Sequence, residues 1–240
     1  MPLKNRVDVR CSNCKTKGKS LLCMLTEDQL EGLDQGKTCI IYKKGQTLFY
    51  EGTRPMGLYC IKSGKVKIFK MGSQGKEQIL RLANPGDFLG YRSLLGEELY
   101  AASGEVLEDA AICFIPKESF YKSLIDNKEF YKTMVKSLAH ELGVVEEKLS
   151  DLSQKSVRER LAGNLLMLKE TYGLEGEEDS TLIDLSISRE DLANIVGTAT
   201  ETVIRLLSEF KKDGLISLEG KKIRVIDPRG LAREADFYGG

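Results

Sequence analysis

The cysteines are the residues of this 240-residue chain whose type and spacing most directly indicate chemistry. Three of the six lie within thirteen residues, at Cys11, Cys14 and Cys23, and lysines are interspersed among them. The thiolate is the form of cysteine that binds metal ions and reacts with oxidants, and nearby positive charge favours it by lowering the thiol pKa. The Cys-x-x-Cys spacing also lets one loop supply two sulfur ligands. The sequence leaves three interpretations open: a metal site, a thiol redox switch, or thiols that hold no metal.

A second group of residues, 188–216, has the pattern of two short helices joined by a tight turn. Ser188 followed by Asp191 resembles a capping box and predicts the start of the first helix. Gly197 predicts the end of that helix, because glycine readily adopts the conformation of a helix C-terminus. Two short helices joined in this way are a helix-turn-helix. A turn at Glu219-Gly220, between the strand-like runs of ISLEGKKIRVID, then predicts a wing hairpin.

The second helix of this pair has the features of a DNA recognition helix. Thr198, three residues before Glu201, repeats the capping signature and predicts where it begins. Four residues near its N-terminus lie opposite its apolar side: Thr200, Glu201, Ile204 and Arg205. Arginine can donate two hydrogen bonds to guanine and glutamate can accept one from cytosine, which gives these positions a means of reading bases. The alternative is that Glu201 only caps the helix and pairs with Arg205 four residues later.

The elements that must position these residues have two further patterns. Residues 38–116 consist of short runs separated by glycines, and apolar and basic residues alternate within 64–70. Short strands with glycine turns at this spacing predict a β-sandwich or jelly roll. The predicted fold class is therefore α+β: an N-terminal β-roll, a long helix, and a C-terminal winged helix-turn-helix.

The long helix carries an apolar residue at every third or fourth position over about three heptads. These residues are Tyr131, Val135, Leu138, Leu142, Val145, Leu149 and Leu152. A seam with this 3.5-residue period predicts that the helix pairs with a second copy of itself. The alternative is a helix that packs only against its own domain.

These patterns predict four parts of the chain. Residues 1–24 form a cysteine-rich arm, and Thr26 starts a helix after it. Residues 25–125 form a sensory β-roll domain, 126–156 a dimerisation helix, and 157–240 the winged helix-turn-helix domain that binds DNA.

The composition is that of a soluble globular protein, with 41% hydrophobic and 30% charged residues. Lys and Arg balance Asp and Glu at 36 each, so net charge neither favours nor excludes nucleic acid. No apolar run approaches the ~20 residues of a membrane-spanning helix, and the N-terminus has no apolar signal region. We therefore expect a cytoplasmic protein with no membrane partner and without a disulfide framework.

The order of these parts resembles that of the CRP/FNR family of bacterial transcription regulators. Residues 38–226 carry the resemblance, through the segments KKGQTLFYEG, LYCIKSGKVKIF, NPGDFLG and DLANIVGTATETVIRLL. The resemblance implies a homodimer that binds promoter DNA and contacts RNA polymerase, and it implies no enzymatic activity. It also implies that Glu201 and Arg205 read a TGA-like core.

The arm is similar to that of the oxygen-sensing FNR branch. This likeness implies a [4Fe-4S] cluster held by Cys11, Cys14, Cys23 and Cys113, since four thiolates are the usual complement of such a cluster. Eight residues separate Cys14 from Cys23, which is longer than the FNR-type spacing, but a longer loop costs little closure entropy. The alternatives are a zinc site on the same thiolates, or Cys113 acting as a small buried hydrophobe.

The resemblance argues against a cyclic nucleotide. Family members that bind one have a Gly-Glu pair and, further along, an Arg-Ser pair that holds the phosphate. Here Gly90 precedes Tyr91, and the later pair falls at Tyr100-Ala101. A tyrosine cannot replace a guanidinium that grips phosphate bidentately.

We therefore expect a regulator that senses oxygen or nitric oxide. One alternative is a regulator of the same fold without a cluster, either ligand-independent or responsive to a small effector. A more remote alternative is an iron–sulfur redox protein, for which the chain has no recognisable catalytic motif.

Overall fold

The computed structural model describes residues 10–73, 75–173, 182–183 and 187–236. The first nine residues of the predicted arm lie outside the described residues, as does part of the predicted DNA-binding domain. The chain forms two compact units. The first extends to Gly72 and resumes from Ile79 to Gly143, and the second contains Ser73–Gln78 and the chain from Val144 onwards.

The first unit is built on two four-stranded sheets, with strand orders β1-β8-β3-β6 and β2-β7-β4-β5. The strands are β1 (Thr38–Tyr42), β2 (Thr47–Phe49), β3 (Gly57–Ser63), β4 (Val66–Met71), β5 (Glu77–Ala83), β6 (Phe88–Leu89), β7 (Ser103–Val106) and β8 (Ala110–Pro116). Strand β8 pairs antiparallel with both β1 and β3, so it lies in the middle of its sheet. This is the predicted β-roll.

One buried cluster of the roll draws residues from strands of both sheets. Phe49, Ile61, Val66, Tyr100 and Ile112 are among its buried residues. The inward-facing side chains of each contributing strand pack together there, which removes their apolar surface from water.

The alternation predicted for residues 64–70 holds only in part. Val66 and Ile68 are buried as expected, but Lys67 between them is buried as well. Its ammonium group lies 3.3 Å from Glu105 on β7 and 5.0 Å from the centre of the Phe69 ring. A buried lysine needs such neighbours, since an unpaired charge in the interior would be costly.

Helices cover the outer side of the sheet that contains β8. They are α1 (Glu27–Gly36), α2 (Tyr91–Leu95), α3 (Lys117–Ile125) and α4 (Lys128–Gln154). Thr26 caps α1 as predicted, and Gln29 completes a capping box with it. A second buried cluster joins these helices, the arm and the outer face of the sheet.

The long helix α4 has the predicted apolar seam, and most of that seam is exposed. The side of α4 that faces the roll buries Phe130 and Met134 instead. Of the seam residues, only Leu138 packs partly against the second buried cluster. Leu142, Val145 and Leu149 remain 60–68% exposed. The chain alone therefore leaves an apolar stripe in water along much of this helix.

The second unit contains the winged helix-turn-helix. Its elements are α5 (Val157–Tyr172), α6 (Arg189–Val196), α7 (Thr200–Lys212), the wing strands β9 (Ile216–Glu219) and β10 (Lys222–Val225), and α8 (Pro228–Glu234). Helices α6 and α7 pack against each other, and α5 packs against α8. Ser188 caps α6 through the backbone N–H of Asp191, as predicted.

The predicted capping pair of Thr198 and Glu201 is wrong. Helix α7 begins at Thr200 with Ala199 in the N-cap position and no side-chain cap. The physical reason is that Thr198 belongs to the preceding turn, where its backbone N–H donates to Ala193 at 3.1 Å. Gly197 makes that turn possible with a φ of 75°.

Gly64, in the turn between β3 and β4, should be intolerant of any side chain. Its φ is +83°, and an added Cβ would lie 2.5 Å from Ala110 Cβ and 2.8 Å from the Asp109 carbonyl oxygen. Gly45 is the matched control, with a φ of +82° and no atom within 4 Å of the added Cβ. We expect Gly45→Ala to lower the free energy of unfolding by about 1–2 kcal/mol, from left-handed strain alone. Gly64→Ala should lose roughly 1–3 kcal/mol more through overpacking. Urea denaturation measures both, and equal losses would contradict the steric argument.

Candidate functional site

The cysteine-bearing arm is attached to the roll at Cys11. The backbone N–H of Cys11 donates to both carboxylate oxygens of Asp34, at 2.9 and 3.1 Å. Its Sγ accepts a hydrogen bond of 2.9 Å from Nζ of Lys37, which also pairs with Asp34. The Lys37 side chain is only 5% exposed. A largely buried ion pair at the end of α1 therefore fixes both the backbone and the sulfur of Cys11.

Two of the thiols are held in their protonated form. Burial raises the pKa of Cys11 to about 11, although the hydrogen bond from Lys37 acts in the opposite direction. Burial raises the pKa of Cys60 on β3 to about 12, and the charges of Cys14 and Cys11 raise it further. Because a metal binds the thiolate, ligation by either group would release a proton.

The other two predicted ligands of the arm are more accessible. Cys14 is half-buried, and its Sγ lies 3.1 Å from the hydroxyl of Thr16. Cys23 lies in a short 3-10 turn, Leu21–Met24, and is exposed. The structure therefore places these two sulfurs at the surface of the arm, where oxidants and metal ions can reach them.

Cys113 lies in the middle of its sheet and forms a disulfide with Cys39. The sequence led us to expect no disulfide framework, and this cross-link differs from that expectation. The physical reason is the strand register, which places Cys39 on β1 directly opposite Cys113 on β8. Cys60 on β3 is the register partner of Cys113 on the other side. Three cysteines thus lie side by side across three adjacent strands.

The four predicted ligands fit an iron–sulfur cluster in chemistry but are not gathered around one point. Four cysteine sulfurs are the right type and number for a [4Fe-4S] group. Within residues 10–73, 75–173, 182–183 and 187–236, however, no three His, Cys, Asp or Glu side chains lie close enough to hold a metal ion. A disulfide sulfur is not a thiolate, so Cys113 could become a ligand only after its bond to Cys39 is reduced.

A cavity of about 320 Å³ lies beside the arm, where Cys23 forms part of its wall. The wall also includes residues of the β5–β6 region and of α4, among them Arg81, Asp87, Tyr91, Ser137 and Glu141. Arg81 and Glu141 form an ion pair of 3.0 Å there. The arm, the roll and α4 therefore meet around one cavity.

The predicted recognition helix has the expected two sides. Val203, Leu206, Leu207 and Phe210 are buried, and Ile204 is 50% exposed. Glu201 is exposed and Thr200 is half-buried, and the Arg205 side chain is 65% exposed. The predicted residues therefore share the accessible side of α7 near its N-terminus.

The alternative pairing of Arg205 with Glu201 is wrong for this structure. The Arg205 guanidinium donates instead to Glu209, one turn further along the helix, at 2.6 Å. Both pairs have the same four-residue spacing, so sequence alone could not separate them. Glu201 is left in the first turn of α7, where a carboxylate interacts favourably with the helix dipole.

Two arginines that the sequence patterns did not identify connect the elements around α7. Arg189 on α6 donates to the Gly220 carbonyl at 3.3 Å and so ties the wing turn to the helix-turn-helix. Arg158 on α5 makes three ion pairs, with Glu209 at 2.9 Å, Asp213 at 3.0 Å and Glu234 at 2.6 Å. The partners of Arg158 are separated by 51 to 76 residues in sequence, so no local pattern pointed to them.

Arg158 also covers the core side of the recognition helix. Its guanidinium lies 4.6 Å from the centre of the Phe210 ring, within the range of a cation–π contact. The hydrogen bond to Glu234 raises the pKa of the guanidinium further above its ordinary value. One side chain therefore joins α5, α7 and α8.

Buried tyrosines stand at the two sequence positions where the family resemblance would put the nucleotide-binding pairs. Tyr100 is buried, and its ring stacks on Phe49 at a centroid distance of 4.3 Å. Tyr91, which follows Gly90, is buried as well. Neither side chain carries a positive charge at neutral pH.

Comparison with known proteins identifies the parts of the chain. Residues 39–127 match the profile of the cyclic nucleotide-binding domain, and residues 159–234 match that of the Crp-like helix-turn-helix domain. The Anaerobic regulatory protein of Bacillus subtilis is 32% identical over 211 residues, which cover 88% of each chain. The chain belongs to the CRP/FNR family. It is thus a DNA-binding transcription regulator of the CRP/FNR type.

Other relatives agree with this assignment. The Fumarate and nitrate reduction regulatory protein of Escherichia coli K12 is 29% identical over 230 residues, which cover 95% of this chain and 90% of that one. The structure of FixK2 from Bradyrhizobium japonicum has a TM-score of 0.74 at 24% identity, and the match covers 82% of this chain and 96% of that one. The likeness to FixK2 shows the fold. The names of the Bacillus subtilis and Escherichia coli relatives are those of regulatory proteins.

Among the helices that the structure describes, none has both the length and the apolar composition needed to cross a membrane.

Replacing Arg158 should loosen the recognition helix without touching its exposed side. Arg158→Met keeps most of the aliphatic stem but removes the ion pairs with Glu209, Asp213 and Glu234. Because the Arg158 side chain is about a third exposed, solvent screens the loss, and we expect the free energy of unfolding to fall by roughly 1–3 kcal/mol. Arg158→Lys keeps the charge but cannot bind all three carboxylates in the same geometry. Its free energy of unfolding should therefore lie between those of the wild type and Arg158→Met. Urea denaturation provides the measurement, and an unchanged midpoint for Arg158→Met would show that the three pairs contribute no net stability.

Proposed function

We propose that this protein is a homodimeric regulator that binds specific promoter sites and responds to oxygen or nitric oxide. We further propose that Cys11, Cys14, Cys23 and Cys113 hold a [4Fe-4S] cluster. The observation that carries the proposal is the position of the cysteine-bearing arm, which packs against the sheet that contains Cys113 and against the base of α4. The arm is therefore in direct contact with the helix that bears the apolar seam, and a change in the arm would act on that helix.

The DNA-reading part of the proposal rests on the accessible side of α7. Thr200, Glu201, Ile204 and Arg205 lie where a recognition helix presents side chains to the major groove. Arginine to guanine is the commonest specific contact of such helices, and each good bidentate pair contributes ~1–3 kcal/mol of discrimination. The four are the base-contacting residues that we propose.

The dimer rests on the exposed seam of α4. Tyr131, Val135, Leu142, Val145, Leu149 and Leu152 are 46–68% exposed in the single chain. Their 3.5-residue period is that of two helices packed in a left-handed supercoil. A second copy of α4 would cover this stripe and place two recognition helices in one molecule, as a two-fold operator requires. By the same family likeness, we propose that the dimer contacts RNA polymerase at promoters.

The sensing part rests on the donor set and on the relatives. Two of the relatives have names that refer to anaerobic regulation and to fumarate and nitrate reduction. Cys11, Cys14 and Cys23 would supply three sulfur ligands from one short segment, and Cys113 would supply the fourth from the roll. When bound, a cluster would supply iron–sulfur bonds that oxygen and nitric oxide attack.

The arm touches α4 through both polar and apolar contacts. Asn127, just before α4, donates a hydrogen bond of 2.9 Å to the Met24 carbonyl of the arm. Leu22 of the arm, and Leu25 directly after it, share one buried cluster with Phe130 and Met134 of α4. These contacts couple the position of the arm to the position of α4, and so to how two copies pair.

The same fold leaves a second candidate function. The cavity beside the arm, at about 320 Å³, has a size that small-molecule sites have, and Arg81, Asp87 and Glu141 offer polar contacts. This favours a regulator that binds a small effector next to α4. A cyclic nucleotide is not the effector that we propose, because Tyr100 stands where the phosphate would need a guanidinium.

Loss of the Arg205 side chain should remove specific DNA binding and leave the dimer intact. Arg205→Ala deletes the bidentate donor, whereas Lys212→Ala removes an exposed charge from the other end of the same helix. We expect Arg205→Ala to lose most of its preference for the operator over random DNA, because the dimer loses one contact of ~1–3 kcal/mol in each half-site, out of the roughly 4–10 kcal/mol that separates specific from non-specific binding. Lys212→Ala should at most weaken both affinities alike. Binding to a selected operator and to random duplex at fixed salt, with mass by light scattering, gives the result. Retained preference in Arg205→Ala would remove the assigned base reader.

The cluster is tested by purification without oxygen. We expect a coloured protein with four iron and four sulfide per chain, which bleaches in air and loses operator affinity. Serine in place of Cys11, Cys14, Cys23 or Cys113 should abolish the colour, because each removes one of the four ligands. Cys60→Ser is the matched control, since Cys60 adjoins Cys113 but is not a proposed ligand. A colourless wild type with air-insensitive DNA binding would exclude the cluster and favour the effector-binding regulator.

A further inference from the structure

We propose that Cys39 and Cys113 are a reversible oxidation site, whose disulfide competes with metal ligation at Cys113. The competition rests on the proposed cluster, but the disulfide itself does not. The starting observation is that Cys113 is bonded to Cys39 in the structure, although Cys113 is also the one proposed ligand that comes from the roll.

The strand register explains why these two thiols form a pair. Strands β1 and β8 are antiparallel neighbours, and Cys39 and Cys113 are directly opposite each other in the ladder. Side chains at opposite positions of an antiparallel pair stand on the same face of the sheet. The two sulfurs are therefore brought together by the fold of the roll and need no movement of the arm to meet.

A second cysteine tests how selective this pairing is. Cys60 on β3 is also a register partner of Cys113, and it is buried to a similar degree. The structure nevertheless leaves Cys60 as a free thiol. Cys113 thus has two cysteine neighbours in its sheet and is bonded to one of them, so Cys60 provides an internal control.

The surroundings restrict the oxidant to a small molecule. Cys39 is 3% exposed and Cys113 is 8% exposed, in the buried cluster that also contains Cys11 and Leu22 of the arm. A bulky disulfide cannot enter such a site without displacing the arm, whereas dioxygen can diffuse into it. We therefore assign dioxygen as the oxidant.

The reaction balances with dioxygen alone. The S–H bonds of Cys39 and Cys113 break and one S–S bond forms, so the two thiols lose two electrons and two protons. Dioxygen accepts both and becomes hydrogen peroxide. A dithiol reductant reverses the change by thiol–disulfide exchange and is itself converted to a disulfide.

The consequence is that Cys113 has two exclusive states. As a thiolate it can be the fourth ligand of the arm's site, and as half of a disulfide it cannot bind a metal. A chain that has lost its metal in air would then be unable to regain it until the bond to Cys39 is reduced. The need for this reduction would come from Cys39, a residue that is not among the proposed ligands.

The experiment compares the full-length wild type with Cys39→Ser, Cys39→Ala and Cys60→Ser. Each protein is purified without oxygen, exposed to air and freed of iron with a chelator. Half of each sample is treated with a dithiol, which is then removed. Peptide mass spectrometry after alkylation detects the 39–113 linkage, and incubation with ferrous iron and stoichiometric sulfide measures recovery of the visible absorbance. Circular dichroism, and operator binding measured before exposure to air, verify that each variant is folded.

We expect the linked peptide in air-exposed wild type and Cys60→Ser, lighter by two hydrogen atoms than the two free peptides together, and not in the protein kept anaerobic. Without the dithiol, wild type and Cys60→Ser should lose most of the recoverable absorbance. Both Cys39 variants should recover equally with and without it.

Three results would overturn the proposal, and they are distinguishable from failure of the proposed function. Absence of the 39–113 peptide from air-exposed wild type removes the oxidation site, whether or not the protein holds iron. Equal recovery of wild type and the Cys39 variants without dithiol removes the competition. A wild type that never holds iron but forms the linkage removes both the cluster and the competition, and leaves only a disulfide.

Discussion

Helix α4 carries apolar residues on two faces, and the domain that it packs against buries only one of them. Phe130 and Met134 are buried in the roll, and burial of side chains of this size stabilises the contact by roughly 1.5–3 kcal/mol each. The seam around Leu142 and Leu149 remains in water on the isolated chain. Both faces belong to one helix. The arm packs at the first face, and under the proposed function a chemical change at its cysteines would act on the dimer through that contact.

The local features of the fold could be predicted from the sequence, and the reasons are local as well. Thr26 and Ser188 each cap a helix through the backbone N–H three residues away, and the glycine turns of the roll act over similar distances. The predictions were wrong where the same sequence pattern was compatible with two different local arrangements. Thr198 had the sequence of a cap but lies in the turn, and Arg205 had carboxylates four residues away on both sides. Sequence alone does not decide between such options, because the three-dimensional neighbours of each group choose one.

The cysteine chemistry depended on distances that no local pattern contains. Cys39 and Cys113 are 74 residues apart and meet only because β1 and β8 are neighbours in register. Lys37 and Cys11 are 26 residues apart and meet because α1 returns the chain to the arm. The likeness to known regulators pointed to the ligand set by residue type. It could not show that one of the four sulfurs has a competing partner, since that fact depends on the sheet topology of this chain.

Glu209 allows Arg205 to leave its ion pair at a small cost in free energy. One of its oxygens accepts from Arg205 and the other from Arg158, so a single carboxylate serves two guanidinium groups. If Arg205 turns towards a base, as the proposed function requires, Glu209 keeps its ion pair with Arg158. The Glu209 side chain is 39% exposed, so water also solvates the oxygen that Arg205 leaves, and the loss of one exposed ion pair costs little. One carboxylate thus anchors α7 to α5 and holds, without fixing it, the arginine that we propose reads bases.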